Sequence, residues 1–452
     1  MDAIQFLKTS VTGKALFIGA LILTLLVPLG MIESLIGERT RLYEAARVEV
    51  AGRWGRGQTI GGPILVVPFR FKTSEYTTAS DELYLLPEEL DITSDAQVQE
   101  LARGIYRVPV YDARVRISGR FGAPAGVARN DDIELLWSQA QVALPISDAR
   151  SIREPVRFTI GGASAVFEPG GMRVAGFGPE LVAKYAELGT GTPSSPLDFS
   201  IDVALGGSTW LGFLPLGAVT RVSATSDWPS PSFRGAYLPE QRTVTPKGFS
   251  ASWRVLDIGR GFPSQWKRSD PVATGSGQSS EFGAALIEPV GVHEATTRSA
   301  KYGVLLIGMS FAAYFLFELL AALRLHALQY LLIGMANCVF YLLLLALAEH
   351  IGFGFAYLAS AGASTALIAF YSAAVLRSVS RALPIGALLG ALYSYLYVTL
   401  RAEDYALLFG ALGTFGMLAA VMYLTRQVDW YDLRLGPREP EEHEAGAAAS
   451  VR

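Results

Sequence analysis

Apolar residues along the 452-residue chain gather in long uninterrupted runs at its two ends and in short segments between them. The first run, Ala15 to Ile32, carries no charge and is preceded by Lys8 and Lys14. A membrane-spanning helix needs about 17–25 apolar residues, whereas the core of a secretory signal is about 7–15 and closes on a small-residue cleavage site. Glu33-Ser34-Leu35-Ile36 follows instead, with no such site. The run therefore predicts an uncleaved anchor over residues 1–36, with Pro28 tolerated inside it.

From Gly37 to Lys301 the pattern shortens. Pro63–Phe69, Ile105–Tyr111 and Ala113–Ser118 predict strands, the last by strict alternation of apolar and polar positions. Val156–Ile160, Leu197–Leu205, Ala218–Ala224 and Phe249–Val255 continue the series. Gly161-Gly162, Gly206-Gly207, Pro229 with Pro231, and Gly259 with Gly261 punctuate it. One helix is predicted at Pro179–Leu188, and flexible loops at Gly189–Ser195 and Ser269–Ser280. The text predicts a β-rich, sandwich-like domain over residues 37–301, with two sub-domains meeting near Pro145–Pro155. Five apolar runs follow, at Tyr302–Leu323, Ala327–Ala348, Phe353–Leu376, Ala382–Leu400 and Tyr405–Leu424, each long enough to span a bilayer. They predict a five-helix bundle over residues 302–425, then a polar, mostly disordered tail over residues 426–452. The fold class expected is an α+β membrane protein.

Composition sharpens this division. Charged residues are 17% of the chain against about 25% in soluble proteins. Between Tyr302 and Thr425 the only charges are Glu318, Arg324, Glu349, Arg377, Arg381, Arg401, Glu403 and Asp404. A single soluble globular domain is excluded. The net charge of −3, without a basic cluster, gives no case for nucleic acid. Cys338 stands alone, and His293, His326, His350 and His443 lie far apart, so neither a metal site nor a cofactor is expected.

Charge also orients the chain. With a cytoplasmic amino terminus, Lys8, Lys14, Arg324, Arg377, Arg381 and Arg426 fall inside, and only Arg401 falls in a short outer loop. Both termini are then cytoplasmic, and the β-rich domain lies outside, which in a bacterium means the periplasm or the outer surface of a single-membrane cell. The lipid bilayer is one expected partner; an unidentified envelope protein or component is another, and self-association stays open.

Several strings have a family look. Lys301–Gly308, Phe315–Leu320 with its Glu318, His326 with Gln329-Tyr330, Tyr341 through Glu349-His350-Ile351-Gly352-Phe353, and Met422–Arg426 with Val428–Tyr431 resemble the CreD family of bacterial inner membrane proteins. So do Trp54-Gly55, Gly62–Pro68, Leu86-Pro87-Glu88, Gly104-Ile105-Tyr106, Phe213–Gly217 and Ser226–Phe233. The resemblance covers nearly the whole chain except the tail. It implies an inner membrane protein tied to envelope integrity, in a regulon under two-component control, and it supplies no catalytic residues.

No phosphate loop, G-x-S-x-G elbow or H-E-x-x-H helix occurs, and Gly52–Gly62 reads as the entry turn of the domain. The candidates that remain are ionisable groups near the bilayer, where a mid-membrane charge costs about 2.5–3.5 kcal/mol. An outer group of Glu349, His350, Arg401, Glu403 and Asp404 fits a proton-shuttling or anion-holding site or, the plainer account, the solvated ends of helices. On the cytoplasmic side Glu318 lies inside its span, and an ion pair with Arg324 or Arg377 accounts for it more simply than an ion path. Asp227, Trp228 and Phe233 form either an exposed recognition loop or, the plainer account, a buried turn anchor. The tyrosines Tyr393, Tyr395, Tyr397, Tyr405 and Tyr423 suit interfacial belts and helix packing. The function expected is a non-enzymatic envelope-integrity protein whose outer β domain binds a partner or envelope component. The runner-up is a membrane-embedded transporter or enzyme acting through His350 on a lipid-linked or small anionic substrate; a sensor partner for a histidine kinase comes third.

Overall fold

A computed structural model of the chain describes residues 11–74, 76–122, 133–169, 180–184, 196–270, 280–286, 292–320, 325–402 and 405–426. The expected loop Gly189–Ser195 and the tail beyond Arg426 fall outside these residues, as does most of Ser269–Ser280. The chain forms two compact units: one holds the described residues of Met1–Leu42 and Val290–Arg452, the other those of Tyr43–Pro289.

The first helix runs unbroken from Val11 to Trp54, 44 residues or about 66 Å, well past the apolar run that predicts it. Beyond Ile36 the chain turns polar yet stays helical: Val50 and Trp54 pack on Val108 and Val110, and ion pairs at helical spacing (Arg47 with Glu44, Arg53 with Glu49) line its exposed side. Gly55 ends the helix at φ +149, and a Cβ there would come within 2.6 Å of the Gly206 carbonyl oxygen. Only glycine fits that turn.

In the membrane unit, helices cover Val292–Lys301, Gly303–Leu320, Ala327–Ile351, Phe353–Leu376, Val379–Arg401 and Ala406–Thr425. The run expected from Tyr302 forms the helix Gly303–Leu320, which is the second arm of a pair bent by 44°. At the break the Tyr302 N–H reaches Ser299 O, three residues back, which tightens the turn. Four described helices are long and apolar enough to cross a bilayer, or five if the bent pair counts as one; Leu408–Tyr423 is shorter. Leu25, Leu29 and Ile36 of the first helix share a core with Phe311, Ile333, Tyr341 and Leu344.

Tyr393 serves helix packing, one of the two uses expected of these tyrosines. It is buried, its hydroxyl donating to Asn337 Oδ1 at 3.0 Å, while Tyr357 Oη donates to the Tyr393 carbonyl at 2.7 Å. Tyr395 likewise donates to the Phe409 carbonyl. A polar group surrounded by lipid must find its partner inside the protein. Tyr405 and Tyr423 are exposed, as belt residues are.

The other unit is β-rich. Among the described residues an eight-stranded sheet runs Gln241–Thr245, Gly248–Leu256, Val219–Ser226, Glu89–Arg103, Tyr106–Phe121, Leu197–Ser208, Arg157–Ile160, Ala163–Val166. A seven-stranded sheet is built around Ile64–Ser74, Thr77–Leu85 and Gln141–Pro145, and a four-stranded one around Trp210–Phe213 and Phe282–Leu286. The two strands expected at 105–111 and 113–118 are one, Tyr106–Phe121, paired along its length with Glu89–Arg103 through the two-residue turn Gly104-Ile105. Gly104 takes φ +62, as the primed hairpin turns require. Helix Pro179–Leu188 is not formed where the chain is described: Glu180–Lys184 is a strand, pairing antiparallel with Gln141–Pro145. Its helix-favouring residues yield to a ladder partner offered by the sheet. One buried cluster joins all three sheets, with Ile64 and Val66, Ile92 and Ile117, and Phe213 and Phe282 among its members.

A buried arginine ties the ends of this unit's strands together. Arg260, 2% exposed, donates from Nη1 to the carbonyls of Leu216 at 2.9 Å and Gly217 at 2.6 Å, and from Nε to Phe262 O at 3.1 Å. Its Nη2 donates to Ser264 Oγ at 2.7 Å. Burial pushes the guanidinium pKa down to about 10, still charged at neutral pH. Arg260→Met leaves these carbonyls buried without donors, at a cost of about 3 kcal/mol. The melting temperature of the purified protein should fall by roughly 6–10 °C; an unchanged melting curve contradicts this role.

Candidate functional site

The acid expected inside its span finds its partner at the other end of the chain. Glu318, 1% exposed near the end of Gly303–Leu320, pairs through Oε1 with Lys14 at the start of the first helix. The Leu325 N–H donates to the same oxygen at 3.1 Å, and Tyr330 Oη donates to Oε2 at 2.9 Å. Lys14 Nζ also donates to Leu325 O at 2.9 Å and lies 5.7 Å from the Tyr330 ring centre. His326 fixes the approach: its Nδ1 accepts from Leu328 N, and Gln329 Oε1 accepts from His326 N, a reciprocal cap that starts Ala327–Ile351.

The partners expected from sequence were Arg324 and Arg377. Arg324 lies outside the described residues; Arg377 is exposed, capping Phe353–Leu376 at φ +48. Lys14 is separated from Glu318 by 304 residues, so spacing could not find it. Its place at the same membrane face was the available signal.

The outer group is only partly assembled. Glu349 pairs with Arg39 at 3.8 Å, a residue the sequence reading did not single out. His350 is exposed, and Arg401 is exposed with its guanidinium 5.5 Å from the Tyr397 ring centre. Among the described residues no hydrogen bond or ion pair joins His350 to Glu349 or Arg401; Glu403 and Asp404 lie outside them. Lys14 and Arg39 are about 37 Å apart along the helix, enough to bracket a hydrocarbon core of about 30 Å.

The Ser226–Phe233 segment is held by its own turn and by neighbouring strands. Asp227 Oδ1 accepts from Val98 N at 2.8 Å, and Trp228 Nε1 donates to Ser230 O at 3.1 Å. Phe233 packs edge-on against Phe249 and Trp253, with ring centres 5.6 and 5.8 Å away.

A feature the sequence reading missed lies on the eight-stranded sheet. Along Glu89–Arg103, Tyr106–Phe121 and Leu197–Ser208, alternate residues point inward as apolar core and outward as Asp95, Gln97, Asp112, Arg114, Arg116 and Asp202. This outward face floors a trough with two overlapping sections of about 550 and 610 Å³. The sections share Asp95, Arg114, Glu154 and Ala204. Its wall is the Arg153–Pro155 segment, held to the sheet where Arg153 N donates to Ala204 O at 2.9 Å. Arg153 stacks on Trp54, 4.4 Å from the ring centre, and faces Asp112 at 3.5 Å. Trp54 is fixed in turn by Nε1 donating to Tyr111 O at 3.2 Å. The Tyr111 hydroxyl donates to Trp210 O at 2.7 Å, and its full burial holds the phenol far above its usual range. Among the described residues no three His, Cys, Asp or Glu converge as metal ligands.

The sequence profile of the family described as Inner membrane protein CreD matches residues 10–431. The chain belongs to the CreD family. It is similar to the Inner membrane protein CreD of Escherichia coli (strain K12), at 28% identity over 443 residues, covering 95% of this chain and 96% of that protein. CreD membership and the apolar helices make it a multi-pass inner membrane protein. Among solved structures, an M1 zinc metallopeptidase from Deinococcus radiodurans overlaps 38% of each chain at 9% identity and a TM-score of 0.20, too slight to relate the two folds.

Breaking a buried pair from one side leaves an uncompensated charge, at a cost of about 3–5 kcal/mol. Lys14→Met and Glu318→Gln should each lower the thermal stability of the detergent-solubilised protein. The double variant should lose less than the sum, by about 2 kcal/mol. Strictly additive losses would show that the two charges do not interact.

Proposed function

We propose that this chain is a non-enzymatic inner membrane protein that supports envelope integrity, its β-rich unit binding a component of the periplasm. The observation that carries the reading is the open polar trough on the eight-stranded sheet, built outside the apolar helices. The bundle's fully buried acid supports it as well: Glu318 is saturated by Lys14, Leu325 and Tyr330, the arrangement of a scaffold.

In this reading the bent pair and Ala406–Thr425 complete five C-terminal spans, and both termini are cytoplasmic. The excess of basic residues on the Lys14 side supports that orientation. Packing of the sheets is sandwich-like, in keeping with the single buried cluster that joins them. The Ser226–Phe233 segment acts as a turn anchor, which the hydrogen bonds of Asp227 with Val98 and of Trp228 with Ser230 support.

The test is complementation of a deletion strain that shows an envelope-stress phenotype. A Glu349→Ala/His350→Ala/Asp404→Ala variant at native abundance should restore full resistance. Loss of rescue with normal membrane insertion would move the function to transport or chemistry at the outer ends of the helices.

A further inference from the structure

The trough's construction narrows what it can hold. Its floor strands are interior to the sheet: Glu89–Arg103 pairs with Val219–Ser226 and Tyr106–Phe121, and Leu197–Ser208 pairs with Tyr106–Phe121 and Arg157–Ile160. Their backbone groups are spent on the ladder, so no peptide can add as a further strand there. The apolar neighbours Ala113, Val115, Val203 and Leu205 face the core, leaving no deep apolar pocket for an acyl chain or a hydrophobic side chain.

Charge excludes more. Asp95, Asp112, Glu154 and Asp202 are offset by Arg114, Arg116 and Arg153, so the lining has no strong field to gather a polyanion or a polycation. Arg116 is already committed to Asp202 at 2.8 Å, and Arg153 to Asp112 and Trp54. Arg114 and Glu154 make no ion pair among the described residues, and Arg114 has Asp95 and Ala204 as its cross-strand neighbours. Planar guanidinium, carboxylate and amide groups thus alternate at the strand spacing of about 4.8 Å and the same-face repeat of about 6.8 Å. Such groups donate and accept in fixed pairs, the pattern that suits adjacent hydroxyls on a sugar ring.

We propose that the trough binds an uncharged glycan chain, with Arg114 and Glu154 supplying its central hydrogen bonds. The proposal rests on the reading that the β-rich unit binds an envelope component, and it names the chemistry of that component.

The full-length protein, in a detergent without a sugar head group, is titrated calorimetrically with chitotetraose, with maltotetraose and with a mixed-charge octapeptide. Saturable binding of one tetrasaccharide is expected, and which one binds tells whether N-acetyl groups are read. Arg114→Ala and Glu154→Gln should each weaken it at least fivefold without changing the melting temperature, while Arg242→Ala on the exposed edge strand leaves it unaltered. Absence of binding to both sugars, binding indifferent to Arg114→Ala, or binding of the peptide alone overturns the proposal. Arg114→Ala is also placed in the deletion strain. If no sugar binds yet this variant fails to rescue, the glycan assignment falls and the envelope reading stands. If sugar binds and the variant rescues fully, the site stands and the envelope reading falls.

Discussion

A charge buried at the membrane boundary must be answered by another, and in this protein the answer comes from across the whole sequence. Glu318 is satisfied by Lys14, by a backbone N–H at Leu325 and by the Tyr330 hydroxyl. The three contributions bind the amino-terminal helix to two helices of the carboxy-terminal half. The same helix carries Arg39 about 37 Å further along, where it meets Glu349. The first helix is thereby tied into the bundle at both ends of its apolar run, and its apolar residues Leu25 and Leu29 fill the core between.

The β-rich unit follows a different economy. Alternation through the middle of three long neighbouring strands sends one set of side chains into a core shared by three sheets and the other set to an open face. The open face is the trough. Fold and site are therefore two readings of one pattern. Arg260 holds the loops at one edge of that fold by donating to backbone carbonyls that have no strand partner.

Much of this was legible in the order of residues. The spans Ala327–Ala348 and Phe353–Leu376 and the strands Leu197–Leu205 and Phe249–Val255 lie inside helices and strands of the structure, because a continuous apolar run and a period of two are local signals. The continuation of the first helix to Trp54 was hidden, since the partners of its scattered apolar residues, Val108 and Val110 against Val50 and Trp54, lie far along the chain. The strand Glu180–Lys184 looked helical because its partner lies elsewhere in the chain. The same limit hid the Lys14 partner of Glu318. The trough was illegible for a further reason: each of its side chains is an ordinary exposed strand residue, and only the register of Glu89–Arg103, Tyr106–Phe121 and Leu197–Ser208 brings them to one face. The strings that resemble the family have a structural use here, for Glu318, His326, Gln329 and Tyr330 together make the clamp and its cap.

The account depends above all on which side of the membrane the trough faces. In a Cys338→Ala background, a cysteine at Thr243, on the exposed strand Gln241–Thr245, can be challenged in intact spheroplasts with a membrane-impermeant thiol reagent. The account predicts full labelling without permeabilisation. Labelling only after the membrane is breached would place the β-rich unit in the cytoplasm and contradict it.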